Sequence, residues 1–583
     1  MKLKYTGALI CAMSFMLCSC GEDFLYKAPQ GSVDKDMLST PEGAEMFTTT
    51  AYATLTAPDW GASIFNWALS GMYGGDANKG SDSNDQAVLN SMETYTLINT
   101  NGYINEKWRW VYKGSKRVAY ALQMIDAVSM DESLKNTRRA ELYFLRALFY
   151  FEGVKVFGPF MPYVDEANLD NNPLVHNDKD IYPNILADVD KAIAGLPAKP
   201  GDPGRAYVWG AKMLKAKILM QQGKLSEAKP ILADVLTNGS TSSGKKFGLA
   251  ENQTDNWSTF MDNTSPESIF EVQFSNDGND HGNMGMSLCY PHNSGPGGCC
   301  GFYQPSFELV NSYQVDENGL PYLNGEYRAK KSVTVRNPDD ATNKEILSIN
   351  DDEIAVDPRL DFAVGRYGIP YKDYGPAKHW VRDPTNGGIF MPKKHVYSQA
   401  EADAGLGRSG MNAGWAPGSA MNIQYLSVRD AMLLYAECLA NDGDFTGAMD
   451  LVNQIRTRAS KEVNIIKNAD GTPAANYKIS TYPASHAAFG SKDICIKAIR
   501  MERKLELAME GQRWFDLTRW GGDYMAAEIA AYLNYEKEYI AKFNGVTPLS
   551  ASKTMFPVPL NQVQEMGNDE SGQPYLVQPG PWK

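Results

Sequence analysis

Apolar residues recur along much of this chain at the three-to-four spacing of an amphipathic helix. Ile185, Val189, Ile193 and Leu196 form one such stripe, and Pro197 closes it. Tyr207, Ala211, Leu214 and Ile218 form another, stopped by Gly223, and a short partner with Ala228, Ile231, Leu232 and Val235 comes next. From Ala140 to Phe151 the run is almost continuously apolar, as in a helix buried on all sides. These patterns predict helical segments over 40–240 and 425–530. The middle, roughly 240–425, is rich in Gly, Pro, Asn, Asp and aromatics. Its strand signals are short, such as Ser268-Ile269-Phe270-Glu271-Val272-Gln273-Phe274, where apolar and polar residues alternate.

The helix–glycine–helix unit recurs near the end of the chain. Ala216, Leu219, Gly223 and Ala228 correspond to Ala436, Leu439, Gly443 and Ala448, each 220 residues later. Small residues let two helices pack closely, and glycine supplies the left-handed turn between them. The spacing is tetratricopeptide-like, and a third unit would include Ala147 and Tyr150. The predicted fold is mainly α: a tetratricopeptide-like helical scaffold with a loop-rich, mixed lobe packed on it. Residues 40–240 are assigned to an N-terminal scaffold, 241–425 to the loop-rich lobe, and 426–583 to a C-terminal pair and the remaining C-terminal segment. Stacked helix pairs form rigid frames, and binding residues concentrate on loops held by such frames. The 241–425 lobe is therefore the expected ligand-binding part.

The first residues carry a different pattern. Lys2 and Lys4 precede an apolar run from Ala8 to Leu17, a secretory signal too short to span a bilayer. It ends in Leu17-Cys18-Ser19-Cys20, which resembles a bacterial lipobox. That resemblance implies a signal peptide over 1–19, an acylated linker over 20–39 and lipid on Cys20. Several acyl chains, at roughly 0.8 kcal/mol per buried methylene, anchor a protein firmly. The adjoining Gly21-Glu22-Asp23 resembles a surface-export tag, so an outer-membrane, outward-facing location is expected. The formal charge of −13, and the absence of a Lys/Arg-rich run, argue against nucleic acid as a partner.

A set of longer motifs carries a family resemblance. Arg139-Ala140-Glu141-Leu142-Tyr143-Phe144-Leu145-Arg146-Ala147 runs on to Phe157-Gly158-Pro159-Phe160-Met161-Pro162. Asp357-Pro358-Arg359-Leu360-Asp361 lies at the centre of the chain. Ile499-Arg500-Met501-Glu502-Arg503-Lys504-Leu505-Glu506-Leu507-Ala508 continues into Glu510-Gly511-Gln512-Arg513-Trp514-Phe515-Asp516-Leu517-Thr518-Arg519-Trp520-Gly521, and Phe556-Pro557-Val558-Pro559 comes near the end. In this order they resemble the signatures of SusD/RagB proteins. The resemblance implies a helical, tetratricopeptide-based lipoprotein that lies over a SusC-like TonB-dependent outer-membrane transporter and hands it ligand. Most relatives take oligosaccharide or polysaccharide and a few take peptides; no covalent chemistry and no cofactor is implied. The alternatives are an adaptor that binds only protein, a peptide-binding RagB-like member, and a glycoside hydrolase on a helical frame.

A sugar ring presents a face of C–H groups and a rim of hydroxyls, so its binding needs flat apolar platforms. The loop aromatics Trp60, Trp67, Tyr73, Trp257, Tyr290, Tyr303, Trp380, Tyr397 and Trp415 are candidates, each weighed against burial in the core. Asp76 and Asn78 are candidate partners for hydroxyls, and Arg382 could present a planar donor fork. Trp108, Trp110, Trp209, Trp514 and Trp520 read as structural. Glu510, Arg513 and Asp516 could supply a carboxylate pair for glycoside hydrolysis, but an internal ion-pair network is the preferred reading. The six histidines show no metal-ligand spacing, and Asp76–Asp85 lacks the order of a calcium loop. Cys438 and Cys495 read as packed thiols. Adjacent Cys299 and Cys300, flanked by Gly298 and Gly301, are expected to form a vicinal disulfide able to stack on a sugar face. The alternatives are a bond from Cys289 to one of them, or three reduced thiols.

Overall fold

The computed structural model describes residues 39–57, 59–169, 174–276, 282–337 and 348–583. The expected signal peptide, Cys20 and His281 lie outside them. Helix α1 (Pro41–Ala53) starts at Thr40, whose hydroxyl accepts from the Gly43 N–H. α2 (Gly102–Ala127) and α3 (Glu132–Phe157) are capped in the same way by Asn101 and Asp131. α4 (Tyr182–Gly195) ends two residues before Pro197, as its stripe predicts. α5 (Val208–Gln221) and α6 (Leu225–Asn238) are the predicted pair around Gly223. The equivalent pair, α7 (Val428–Asn441) and α8 (Phe445–Ala459), begins 220 residues after α5. Gly223 and Gly443 both have the positive φ of a left-handed turn. α9 (Lys492–Glu506), α10 (Arg513–Arg519) and α11 (Gly522–Glu536) complete the frame.

Neighbouring helices pack in sequence from α2 to α6. α6 then meets α7, which also packs on α8 and α9. From Ala140 onward α3 is buried on every face, with Tyr143 half-buried. A single apolar core reaches from Ala44 to Leu576, and a smaller one joins Tyr290, Tyr371, Trp380, Met391, Val396 and Tyr397 within the loops.

The stretch between α1 and α2 departs from the helical expectation. It holds a π-helical turn (Trp67–Met72) and strand β1 (Ala77–Gly80). A Cβ at Gly71 would come within 2.0 Å of the Tyr303 hydroxyl, so this backbone is pressed against the loop lobe. The expected strand is β2 (Ser268–Val272). β3 (Phe302–Pro305) pairs antiparallel with β1, which ties the two halves of the chain together. β4 (Gly407–Asn412) and β5 (Ala416–Ser419) form a hairpin, and β6 (Ile423–Ser427) pairs antiparallel with β2. β2 is buried on both faces; its Glu271 accepts from the Asn263 N–H and the Asn422 amide.

The charged C-terminal motif lies inside the frame. Arg359 reaches Asp357 at 2.7 Å, Glu502 at 2.6 Å and Glu506 at 3.0 Å. Arg503 reaches Asp516 at 3.0 Å and Asp430 at 2.9 Å, and Glu510 is held by Lys394 and Arg429. Arg513 pairs with Glu528. These are the contacts of an internal network that fixes α9 and α10 to the loops.

Candidate functional site

Folding separates the candidate aromatics into inward-facing and outward-facing sets. Trp67 is fully buried, with Tyr103, Phe302 and Tyr303 against its edges. Tyr73 lies edge-on to Trp514 at 4.6 Å. Tyr290, Tyr303 and Tyr397 are buried, with Tyr290 tilted against Tyr397 at 5.5 Å. Trp380 is buried edge-on to Tyr371. None of these rings presents a face to solvent. They are corrected to core positions: Trp67, Tyr73 and Tyr303 join the main apolar core, and Tyr290, Trp380 and Tyr397 the smaller one within the loops.

The polar candidates between α1 and α2 are likewise spent inside. Asp76 is buried and accepts from the Met509 N–H, and burial pushes its carboxyl up to about 6. Asn78 is fully buried; it accepts from the Tyr532 hydroxyl at 2.6 Å and donates to Glu536 at 3.1 Å. Burial also pushes Glu536 up to about 8. Arg382, by contrast, is exposed and forks onto Asp82 and Asp85, at 2.7 Å in each case. Its donors therefore serve the oxygen-rich turn that the sequence reading set aside as a calcium loop. Among the described residues no group of three His, Cys, Asp or Glu side chains converges as a metal site.

Trp415 faces outward. It sits in the β4–β5 turn, where Ala413 and Gly414 take positive φ, and it is 50% exposed. Trp60 approaches it edge-on, with ring centroids 6.4 Å apart. The Trp60 indole N–H donates to the Ser287 hydroxyl at 2.9 Å, which holds the ring in place. Exposed Asp59 and half-buried Glu106 lie alongside, Glu106 accepting the Gly61 N–H at 2.7 Å. Two tryptophans 355 positions apart thus meet on one surface, with carboxylates beside them.

Cys299 and Cys300 are joined to each other, and Cys289 is free and buried, as are Cys438 and Cys495. Cys300 is buried and Cys299 half-exposed. Tyr290 and Tyr303, the candidate rings nearest the pair in sequence, are both enclosed. Trp257 is half-buried and lines a cavity of about 410 Å³ between the loop lobe and the C-terminal helices. Lys394 and Arg429 stand over its ring, 5.7 Å and 5.6 Å from the centroid. Sequence reading missed this cavity because its walls come from distant segments. The signal that could have revealed it is Lys393-Lys394, a cationic pair placed directly after the apolar Ile389-Phe390-Met391-Pro392.

Comparison with known proteins places the architecture. A family model described as the SusD family matches residues 266–569. The chain belongs to the SusD family. A second model, described as starch-binding associating with outer membrane, matches residues 47–207 of this SusD-family chain. A SusD-like protein of Bacteroides ovatus is 22% identical over 560 residues, covering 91% of this chain and 85% of that one. The solved SusD superfamily protein from Bacteroides vulgatus aligns with a TM-score of 0.63 at 16% identity, over 93% of this chain and 99% of its own. Surface glycan-binding protein A from Bacteroides thetaiotaomicron, solved with laminarihexaose, aligns with a TM-score of 0.59 at 18% identity, over 92% and 99%. The mainly α-helical fold is the one these structures share.

Proposed function

We propose that this protein is a glycan-binding lipoprotein of the outer membrane, facing the cell exterior. It captures oligosaccharide or polysaccharide and passes it to a SusC-like TonB-dependent transporter. The observation that carries the reading is the Trp60–Trp415 pair, an aromatic platform held open to solvent on a rigid frame. A half-exposed indole in a hairpin turn gives the frame little stability. It offers instead a flat apolar face for one side of a sugar ring, with Asp59 and Glu106 beside it as hydroxyl acceptors. Family membership supports the reading, as does the laminarihexaose bound to one protein of similar fold.

On this reading α5–α6 and α7–α8 are tetratricopeptide-like units that hold the platform rigid. The acyl chains on Cys20 tether the protein at the membrane; among the described residues no helix is long and apolar enough to cross one. The test is affinity electrophoresis of wild type and a Trp60→Ala/Trp415→Ala double variant through gels containing plant, fungal or bacterial polysaccharides. Retardation of the wild type by at least one polysaccharide, lost in the variant, supports the proposal. Retention of a peptide mixture and of no glycan would favour the peptide-binding alternative.

A further inference from the structure

The cavity beside Trp257 is lined by none of the platform residues and has its own chemistry. Its 410 Å³ falls within the range of small-molecule sites, about 300–1,000 Å³. Phe362, Ile465 and Leu505 supply apolar wall, and the turn carrying Gln253, Thr254 and Ser258 supplies amide and hydroxyl groups.

The carboxylates in the wall are all engaged by the protein. Glu506 is held by Arg359 and Arg458, and Glu510 by Lys394 and Arg429. Glu401 accepts from Ser398 and Thr259, and Asp373 from the Gln399 and Ala400 N–H groups. Two cations are treated differently. Lys372 donates to the carbonyls of Val396 and Lys394, and Lys393 to those of Asp361 and Pro370. Among the described residues neither ammonium is paired with a carboxylate; the Asp361 carboxylate is taken by Arg366 and Tyr477. In the same wall Gln253, 9% exposed, has a side-chain nitrogen without a hydrogen-bond partner. Buried charge without a counter-ion is costly, and an unpartnered buried amide adds to that cost.

We infer that this cavity binds a small carboxylate-bearing sugar, a uronic acid, with its carboxylate at Lys372 and Lys393 and its hydroxyls toward the Gln253 turn. The space exceeds what a bare inorganic anion fills, and the strip of amide and hydroxyl side chains suits a polyol rather than a simple fatty or aromatic acid. This site is independent of the surface platform, and either could exist without the other.

The charge state of the lysines makes the proposal testable through protons as well as affinity. Burial pushes Lys372 down to about 8, against the pull of Glu401 and Asp373. Burial, opposed by Asp361 and reinforced by Lys372 and Arg366, pushes Lys393 down to about 7. A bound anion favours both charged forms and so raises both values. Binding near pH 8 therefore takes up protons, and affinity falls as pH rises beyond that.

The experiment is isothermal titration of the full chain with galacturonate, glucuronate, glucose and acetate, at pH 7 and pH 9, and at pH 8 in two buffers of different ionisation enthalpy. A uronate is expected to bind at least tenfold more tightly than glucose or acetate. It should bind with net proton uptake at pH 8, and at least several-fold more weakly at pH 9 than at pH 7. Lys393→Met should lose at least tenfold, as should Phe362→Trp, which fills the cavity while keeping both lysines. No measurable uronate binding to the wild type overturns the inference. So do equal binding of glucose, equal binding of acetate, no proton uptake, or an unchanged affinity in Phe362→Trp.

Discussion

Trp415 and Trp60 differ from the other candidate rings in what surrounds them, and that difference sets the expected effect of losing each. Trp415 is half in water, so Trp415→Ala should leave stability within about 0.5 kcal/mol of wild type. The same change should weaken glycan binding about tenfold or more, or about 1.4 kcal/mol, as read by titration with a retained oligosaccharide. Trp67→Ala should do the reverse, costing about 3–5 kcal/mol in a denaturant melt because it empties a fully enclosed site. The adjacent cysteines give a second check. Peptide mapping of the unreduced chain should find Cys299 joined to Cys300 and Cys289 free; a Cys289 cross-link to either would contradict this. At this scale the sequence named the right residue types but could not rank them. Tyr290, Trp380 and Tyr397 stand among the glycines and prolines of a loop, yet they close a small core with Tyr371 and Val396. Trp60 and Trp415 meet only across the fold, which no local spacing encodes.

The helices were far more legible, because each one's register comes from its own apolar stripe and its own stop. α4 ends before Pro197, and both pairs turn at Gly223 and Gly443. A Cβ at Gly443 would meet nothing within 4 Å, so Gly443→Ala should cost only the backbone strain of its positive φ, about 1–2 kcal/mol in a denaturant melt. The segment between α1 and α2 was the least legible, since its π-helical turn and strand depend on Tyr303 and β3 from the other half of the chain. The signature motifs explain themselves at this scale too. Arg359→Met would leave Asp357, Glu502 and Glu506 buried without their shared guanidinium, a loss of about 3–5 kcal/mol. Burial alone would raise Glu506, but Arg458 and Arg359 hold it down to about 2. A carboxyl depressed in the folded state adds stability above its ordinary value near 4.5, and that stability is lost as pH falls toward 2. Wild-type stability should therefore fall across this window, and less steeply in Arg359→Met, where part of the pull on Glu506 is gone.

For the molecule as a whole, the frame ties its loop lobe in at several places: β1 to β3, β2 to β6, and the ion-pair network from Arg359 and Lys394 to α9 and the residues after it. Such a body can present a fixed surface, and the proposed acyl tether on Cys20 would let it move over a transporter. A Cys20→Ala variant should lose incorporated fatty acid and membrane attachment. The wild type, extracted in mild detergent, should bring an outer-membrane transporter with it. On the proposed function the protein binds glycan and leaves it intact. This is tested most directly by incubating the purified chain with a panel of polysaccharides and measuring retention and new reducing ends in the same samples. Saturable retention of at least one polysaccharide is expected, with no reducing ends above the protein-free control. Retention of none, or reducing ends that accumulate with time and protein concentration, would contradict it.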